Sequence, residues 1–252
     1  MCVHLVTRAD KATPGGGSKT LNMTGYQWWS EATHGVSHYY GAPEETHGKD
    51  TTTEYMTNFP FPITTAMSFN RSLWHATGAQ IGREARAAMN VGNAYSTFWT
   101  PVVNMARGEF FPIATSSSFS YSKLTHCSCH VLATASGSDP RWGRNLEAVG
   151  EDPTVTAEYA EFFVKGMQEN PAEPRFWQAG ACCKHYAGNS VEGATETGIT
   201  WGRDTMSVNI SQRDLHEYYL RPYQSCVERA NVSGLMCRSV SLMRTTLQRS
   251  QA

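Results

Sequence analysis

Two long amphipathic stretches and a third, less regular one alternate with short apolar runs, and that alternation constrains the fold more than anything else in the chain. Phe59 to Met67 is a short apolar run bounded by prolines, and it reads as a buried strand. Ser68 then reads as the cap of a helix to about Met89. Its apolar stripe is Phe69, Leu73, Ala76, Ile81, Ala85 and Ala88. Gly78 and Gly82 stand four apart in its middle, each costing about 1 kcal/mol against alanine, a cost best explained by close packing on a neighbouring element. Phe98 to Asn104 is the next strand candidate. Asp152 and Pro153 open a helix to about Asn170 that buries Ala157, Ala160, Phe163, Val164 and Met167. Trp177 to Cys183 reads as a strand, and Ser211 with Asp214 resembles a capping box. The helix that follows carries Leu215, Tyr218, Tyr219, Cys226 and Val227, with a kink expected at Pro222, and Val232 to Cys237 is the last strand candidate.

Strands alternating with helices imply a parallel sheet. A (β/α)8 barrel would place the polar motifs described below just after its strands, where such barrels build their sites. A doubly wound sheet is the alternative, but it calls for a glycine-rich phosphate loop that is not found here.

Asp139 to Glu147 holds Arg141, Trp142, Arg144 and Glu147 between a proline and several glycines. Arginine offers hydroxyls a planar fork of donors, and an indole offers a pyranose its face. The competing reading is a surface loop held by ion pairs. Glu31 lies among Trp28, Trp29 and His34 and can accept hydrogen bonds from hydroxyls, or serve as an ordinary helix-start charge. Lys184, His185 and Tyr186 sit together at a strand end, where lysine and histidine can donate to one ligand.

The formal charge of -1 removes any electrostatic argument for nucleic acid or an anionic membrane surface, and no run approaches the length of a membrane span. No cofactor is called for. His126-Cys127-Ser128-Cys129-His130 resembles a compact metal cluster, yet it lacks the second ligand pair of a structural zinc site, so no metal ligand is assigned. Seven cysteines give no tidy disulfide framework. Sequons at Asn22, Asn70, Asn209 and Asn231 suit a secreted protein, although no signal peptide is visible and Asn70 falls within the expected helix.

Six blocks resemble family 3 glycoside hydrolases, in the family's order and in its β-xylosidase-like branch. They are Trp28-Trp29-Ser30-Glu31-Ala32-Thr33-His34-Gly35, Ser68-Phe69-Asn70-Arg71-Ser72-Leu73-Trp74, Asp139-Pro140-Arg141-Trp142-Gly143-Arg144, Gly150-Glu151-Asp152-Pro153, Cys182-Cys183-Lys184-His185-Tyr186 and Gly234-Leu235-Met236-Cys237. The resemblance implies the N-terminal TIM-like barrel of a secreted, retaining exo-glycosidase acting on oligosaccharides or aryl β-glycosides, as in xylan breakdown. Arg144, Lys184 and His185 then match residues holding the non-reducing-end sugar. Glu31 matches an acidic residue of the same subsite, in a context that suggests a pentose, and Met236 matches a pocket-lining residue.

Departures from the pattern set further expectations. Residues 1–25 read as a lead-in, 26–237 as a partial barrel incomplete at its C-terminal end, 108–138 as an irregular insertion and 238–252 as a tail outside the family pattern. The insertion and the tail both begin abruptly inside a family block, as retained intron sequence would. A retaining glycosidase needs two carboxyl groups about 5 Å apart, and in the family pattern both lie after Cys237. No catalytic carboxylate is therefore assigned, and the chain as written is expected to be inactive. The competing class is a non-catalytic sugar-binding protein that keeps the Glu31, Arg144, Lys184 and His185 subsite.

Overall fold

The computed structural model describes residues 26, 28, 30–36, 56–92, 94–106, 144–189 and 210–237. The expected lead-in, the insertion with its Cys-His cluster and the tail lie outside the described residues, as do Asn22, Asn209, Arg141 and Trp142. Helices are α1 (Pro62–Ala66), α2 (Arg71–Asn90), α3 (Pro153–Gln168), α4 (Gln212–Asp214) and α5 (Arg221–Gln224), and strands are β1 (Thr97–Phe98), β2 (Gly180–Tyr186) and β3 (Gly234–Cys237). The strands form a parallel sheet in the order β1-β2-β3. Three parallel strands in sequential order are common to a sector of a barrel and to one half of a doubly wound sheet. Beyond β1, the Ser30 carbonyl accepts from the Trp99 amide at 2.8 Å, which lays the Glu31 segment along that edge.

The run expected as a strand at Phe59 to Met67 is instead the single-turn helix α1. Pro62 sits in its first turn, and the Thr64 and Thr65 amides both donate to the Phe61 carbonyl. Five residues are too few for a helical period to show through β-branched side chains. Asn70 rather than Ser68 caps α2, accepting from the Leu73 amide at 3.1 Å, so this sequon residue stands at the helix start and not within it. Phe69, Leu73 and Ala76 face solvent, and the buried stripe runs through Trp74, Thr77, Ile81, Ala85 and Ala88.

Asp152 caps α3 as expected, its carboxylate accepting from the Thr154 and Val155 amides at 2.8 and 2.7 Å. The five apolar residues assigned to the inner face of α3 are all buried. That helix packs against α2, β2, α5 and the turn after it. Ser211 caps the following helix, which alternates α4 and α5 with π-helical turns at Leu215–Tyr219 and Ser225–Arg229; Val227, expected in its stripe, is exposed. The regular part of the second expected strand shrinks to Thr97–Phe98 plus an isolated bridge between Val102 and Lys184. The strand expected at Trp177 to Cys183 starts at Gly180 and carries Lys184 and His185 within it.

The close packing inferred from Gly78 and Gly82 is present. A Cβ at Gly78 would strike the Phe163 carbonyl, one at Gly82 the Met167 carbonyl, and one at Gly166 the His75 carbonyl. Each obstruction is backbone, so no side-chain rotation relieves it. Gly166→Ala is expected to lower unfolding free energy by about 3 kcal/mol through overpacking. Gly150→Ala, where nothing lies within 4 Å, should change it by less than about 0.5 kcal/mol. Urea denaturation of the two variants checks the contrast; equal midpoints would show that the helices separate freely.

Candidate active site

Buried at the centre of β2, Lys184 has a side chain only 3% exposed, and its Nζ donates to Glu31 Oε2 at 2.6 Å. Burial works against both charges. It raises the Glu31 carboxyl above its ordinary value although Lys184 and Arg144 pull the other way, and it lowers the Lys184 ammonium although Glu31 opposes that. Such a pair contributes little net stability, because desolvation cancels most of the attraction.

The 3-10 turn Asn145–Glu147 supplies a second pair, with Arg144 Nη2 donating to Glu147 Oε2 at 2.6 Å. Both pairs line one open cleft of about 240 Å³ with Thr33, His34, Gly35 and Phe61. Three residues expected from the sequence, Glu31, Arg144 and Lys184, therefore converge. Glu147 was not singled out as a binding residue, though its position three after Arg144 is a signal for a local pair. Phe61 and His34 were also missed, because they reach the cleft through the fold.

His185 and Met236 stand elsewhere. The β2–β3 register pairs Lys184 with Met236 and Tyr186 with Cys237, so His185 is the extra residue of a bulge, a feature that re-aims side chains beside active sites. Asn104 spends its amide on it: Oδ1 accepts from the His185 backbone N–H at 2.8 Å and lies 3.2 Å from Nδ1, and Nδ2 donates to the His185 carbonyl at 3.0 Å and to Tyr223 Oη at 3.1 Å. This brace explains why a buried asparagine closes the second strand run, which its sequence position did not reveal. Met236 is partly buried, and the register places it beside Lys184 on the sheet. Among the described residues, no group of three or more His, Cys, Asp or Glu could hold a metal ion, and no helix is long and apolar enough to cross a membrane.

Residues 131–251 match the glycosyl hydrolase family 3 N-terminal domain, a span that takes in the end of the expected insertion and nearly all of the expected tail. Beta-D-xylosidase 3 of Arabidopsis thaliana is 36% identical over 222 residues, covering 88% of this chain and 24% of that protein. A probable exo-1,4-beta-xylosidase of Aspergillus terreus is 33% identical over 223 residues, covering 88% and 24%. Among solved structures, a family 3 exo-β-xylosidase in complex with a xylobiose aziridine activity-based probe superposes with a TM-score of 0.67 at 25% identity, covering 92% of this chain and 25% of that one. β-Glucosidase 3B of Thermotoga neapolitana shares the fold at a TM-score of 0.60 and 24% identity, covering 90% and 24%. The chain thus spans about a quarter of the length of these relatives. With the motif blocks, the parallel sheet and these relatives in agreement, the chain belongs to glycosyl hydrolase family 3.

Proposed function

We propose that the cleft around Lys184 is the sugar-holding part of a retaining exo-glycosidase site of β-xylosidase type. It takes the non-reducing-end sugar of a xylo- or gluco-oligosaccharide or an aryl β-glycoside, and the described strands are a sector of a (β/α)8 barrel. The observation that carries this reading is the buried Lys184–Glu31 pair at 2.6 Å, with Arg144–Glu147 on the same cleft. Carboxylates that only accept and cations that only donate match the alternating donors and acceptors of sugar hydroxyls. The 33–37% identity to plant and fungal β-xylosidases supports the substrate class.

Hydrolysis by a retaining glycosidase needs a nucleophilic carboxylate and an acid/base carboxyl about 5 Å apart, and the family pattern has both after Cys237, where residues 238–252 contain no Asp or Glu. Among the described residues the carboxylates lining the cleft are Glu31 and Glu147, which match the sugar-holding side of the site. The 252-residue chain by itself is therefore read as a sugar-binding unit without turnover, with nucleophile and acid/base supplied by the remainder of a family 3 enzyme. The buried Cys183–Cys226 disulfide and the exposed sequon residues Asn70 and Asn231 support maturation in an oxidising, secretory compartment.

Titrating methyl β-D-xyloside into the 252-residue chain, alongside a nitrophenyl β-xyloside assay, tests this reading. Saturable binding without release of nitrophenol is the expected result. Binding no better to the native chain than to a Lys184→Met variant would remove the sugar reading, and turnover by the native chain would remove the non-catalytic part.

A further inference from the structure

The cleft has a lining that the charged pairs do not explain. Phe61 stands on it with 38% of its surface exposed, and the His34 ring packs on it with centroids 4.3 Å apart. We propose that Phe61 is a specificity-determining residue, a platform on which the C–H face of the bound pyranose stacks while Glu31, Lys184 and Arg144 take the hydroxyl rim. This deepens the sugar reading and rests on it.

The physical case begins at Gly35. Its φ of +146° belongs to a region that glycine occupies without strain, and its bare Cα lets the chain press against the Thr57 carbonyl, where a Cβ would collide. That approach seats His34 on the segment before α1. The Phe59 amide donates to the His34 carbonyl at 2.8 Å, and His34 Nδ1 lies 2.7 Å from Asn58 Oδ1 and 3.2 Å from the Phe59 carbonyl. A carbonyl only accepts, so Nδ1 carries the proton and the ring is locked. Phe61 is fixed from its other side, because its carbonyl receives the first two amide bonds of α1, from Thr64 at 2.9 Å and Thr65 at 3.0 Å.

The result is a Phe61 main chain anchored by hydrogen bonds and a ring braced on one side by His34 before any ligand arrives, which limits the entropy lost on binding. A half-exposed phenylalanine on an otherwise polar cleft would be an unproductive apolar patch if the ligand were an anion or a simple cation. A pyranose has use for both linings, since its hydroxyls radiate from the rim and its axial hydrogens form apolar faces. A β-xylopyranose and a β-glucopyranose present the same axial C–H face, because they differ only in the equatorial substituent at C5, so the platform selects for a pyranose face and not for the C5 substituent.

The test is titration of methyl β-D-xyloside into the native chain, Phe61→Leu and Phe61→Trp, followed by proton NMR of the ligand. Leucine keeps the apolar bulk and removes the ring. Loss of stacking is expected to raise Kd about tenfold in Phe61→Leu, with Phe61→Trp within about twofold of native. The upfield ring-current shift of the axial sugar protons should also disappear in Phe61→Leu. Equal affinity and an unchanged upfield shift in Phe61→Leu would overturn the platform and leave the sugar reading intact. No saturable binding by the native chain would overturn both. If Phe61→Leu is less well folded by circular dichroism, weakened binding by Phe61→Trp with the shift lost would likewise overturn the platform, and native-like binding with the shift kept would support it.

Discussion

Lys184→Met is expected to abolish methyl xyloside binding, by more than about a hundredfold, while Glu31→Gln costs more stability than it does. The asymmetry comes from where each charge sits. The Lys184 side chain is 3% exposed and that of Glu31 is 23% exposed. Removing the lysine leaves a carboxylate that can turn toward water and toward Arg144 across the cleft. Removing the carboxylate charge leaves an ammonium enclosed with only a neutral amide, and stranding a buried charge costs about 3 kcal/mol. Isothermal titration calorimetry measures the first effect and urea denaturation the second. A Glu31→Gln variant as stable as Lys184→Met would show that Lys184 is hydrated in solution, and undiminished binding by Lys184→Met would move the sugar off this cleft.

The same pair sets a pH profile. Binding needs Glu31 ionised and Lys184 protonated, so it should weaken on the acid side above the ordinary carboxylate range and on the alkaline side below the ordinary lysine range, because burial raises the one and lowers the other. Stability follows the opposite sense. With the Glu31 pKa raised, the native state holds its proton longer than the unfolded chain, so this contribution falls as pH rises through that window. With the Lys184 pKa lowered, the native state releases its proton earlier, so the contribution recovers as pH rises toward the usual lysine value. Between the two windows the pair carries its full burial cost, and Lys184→Met/Glu31→Gln should flatten both limbs.

The residues that the sequence disclosed share one property: their partners are near in the chain, or their chemistry is unusual wherever it occurs. Asp152 caps the helix two residues on, and Gly78 and Gly82 announce a close crossing merely by standing in a helix. Arg144, Lys184 and Glu31 stand in motif blocks whose residue types fit sugar binding. What stayed hidden depends on distant chain segments. The bond from Asn104 to His185 spans 81 residues, and the packing of Phe61 on His34 follows from Gly35 pressing against Thr57. No local period encodes either contact. The helix at Pro62–Ala66 was lost for a different reason: its threonines favour a strand locally, and the Phe61 carbonyl and Pro62 override them.

Cys183 and Cys226, buried without exposure, tie the middle of β2 to the π-helical turn before β3, and reducing them should be the most damaging covalent change to the fold. With the two positions separated by 43 in sequence, the chain-entropy model assigns the cross-link about 4 kcal/mol. In a domain of this size that corresponds to a Tm lower by about 8–16 °C for Cys183→Ala/Cys226→Ala, measured by differential scanning calorimetry. The neighbouring Cys182 is expected neither to substitute as a partner nor to shuffle the bond, because burial pushes its thiol up to about 11 despite the Ser233 hydrogen bond and keeps the nucleophilic thiolate scarce. Lys184 directly follows Cys183 on the strand, so slackening at the cross-link reaches the cleft. The double variant should bind methyl xyloside more weakly even at temperatures where it remains folded. A native Tm with native affinity would show that packing around Ala181, Tyr223 and Ala230 holds β2 in place without the bond.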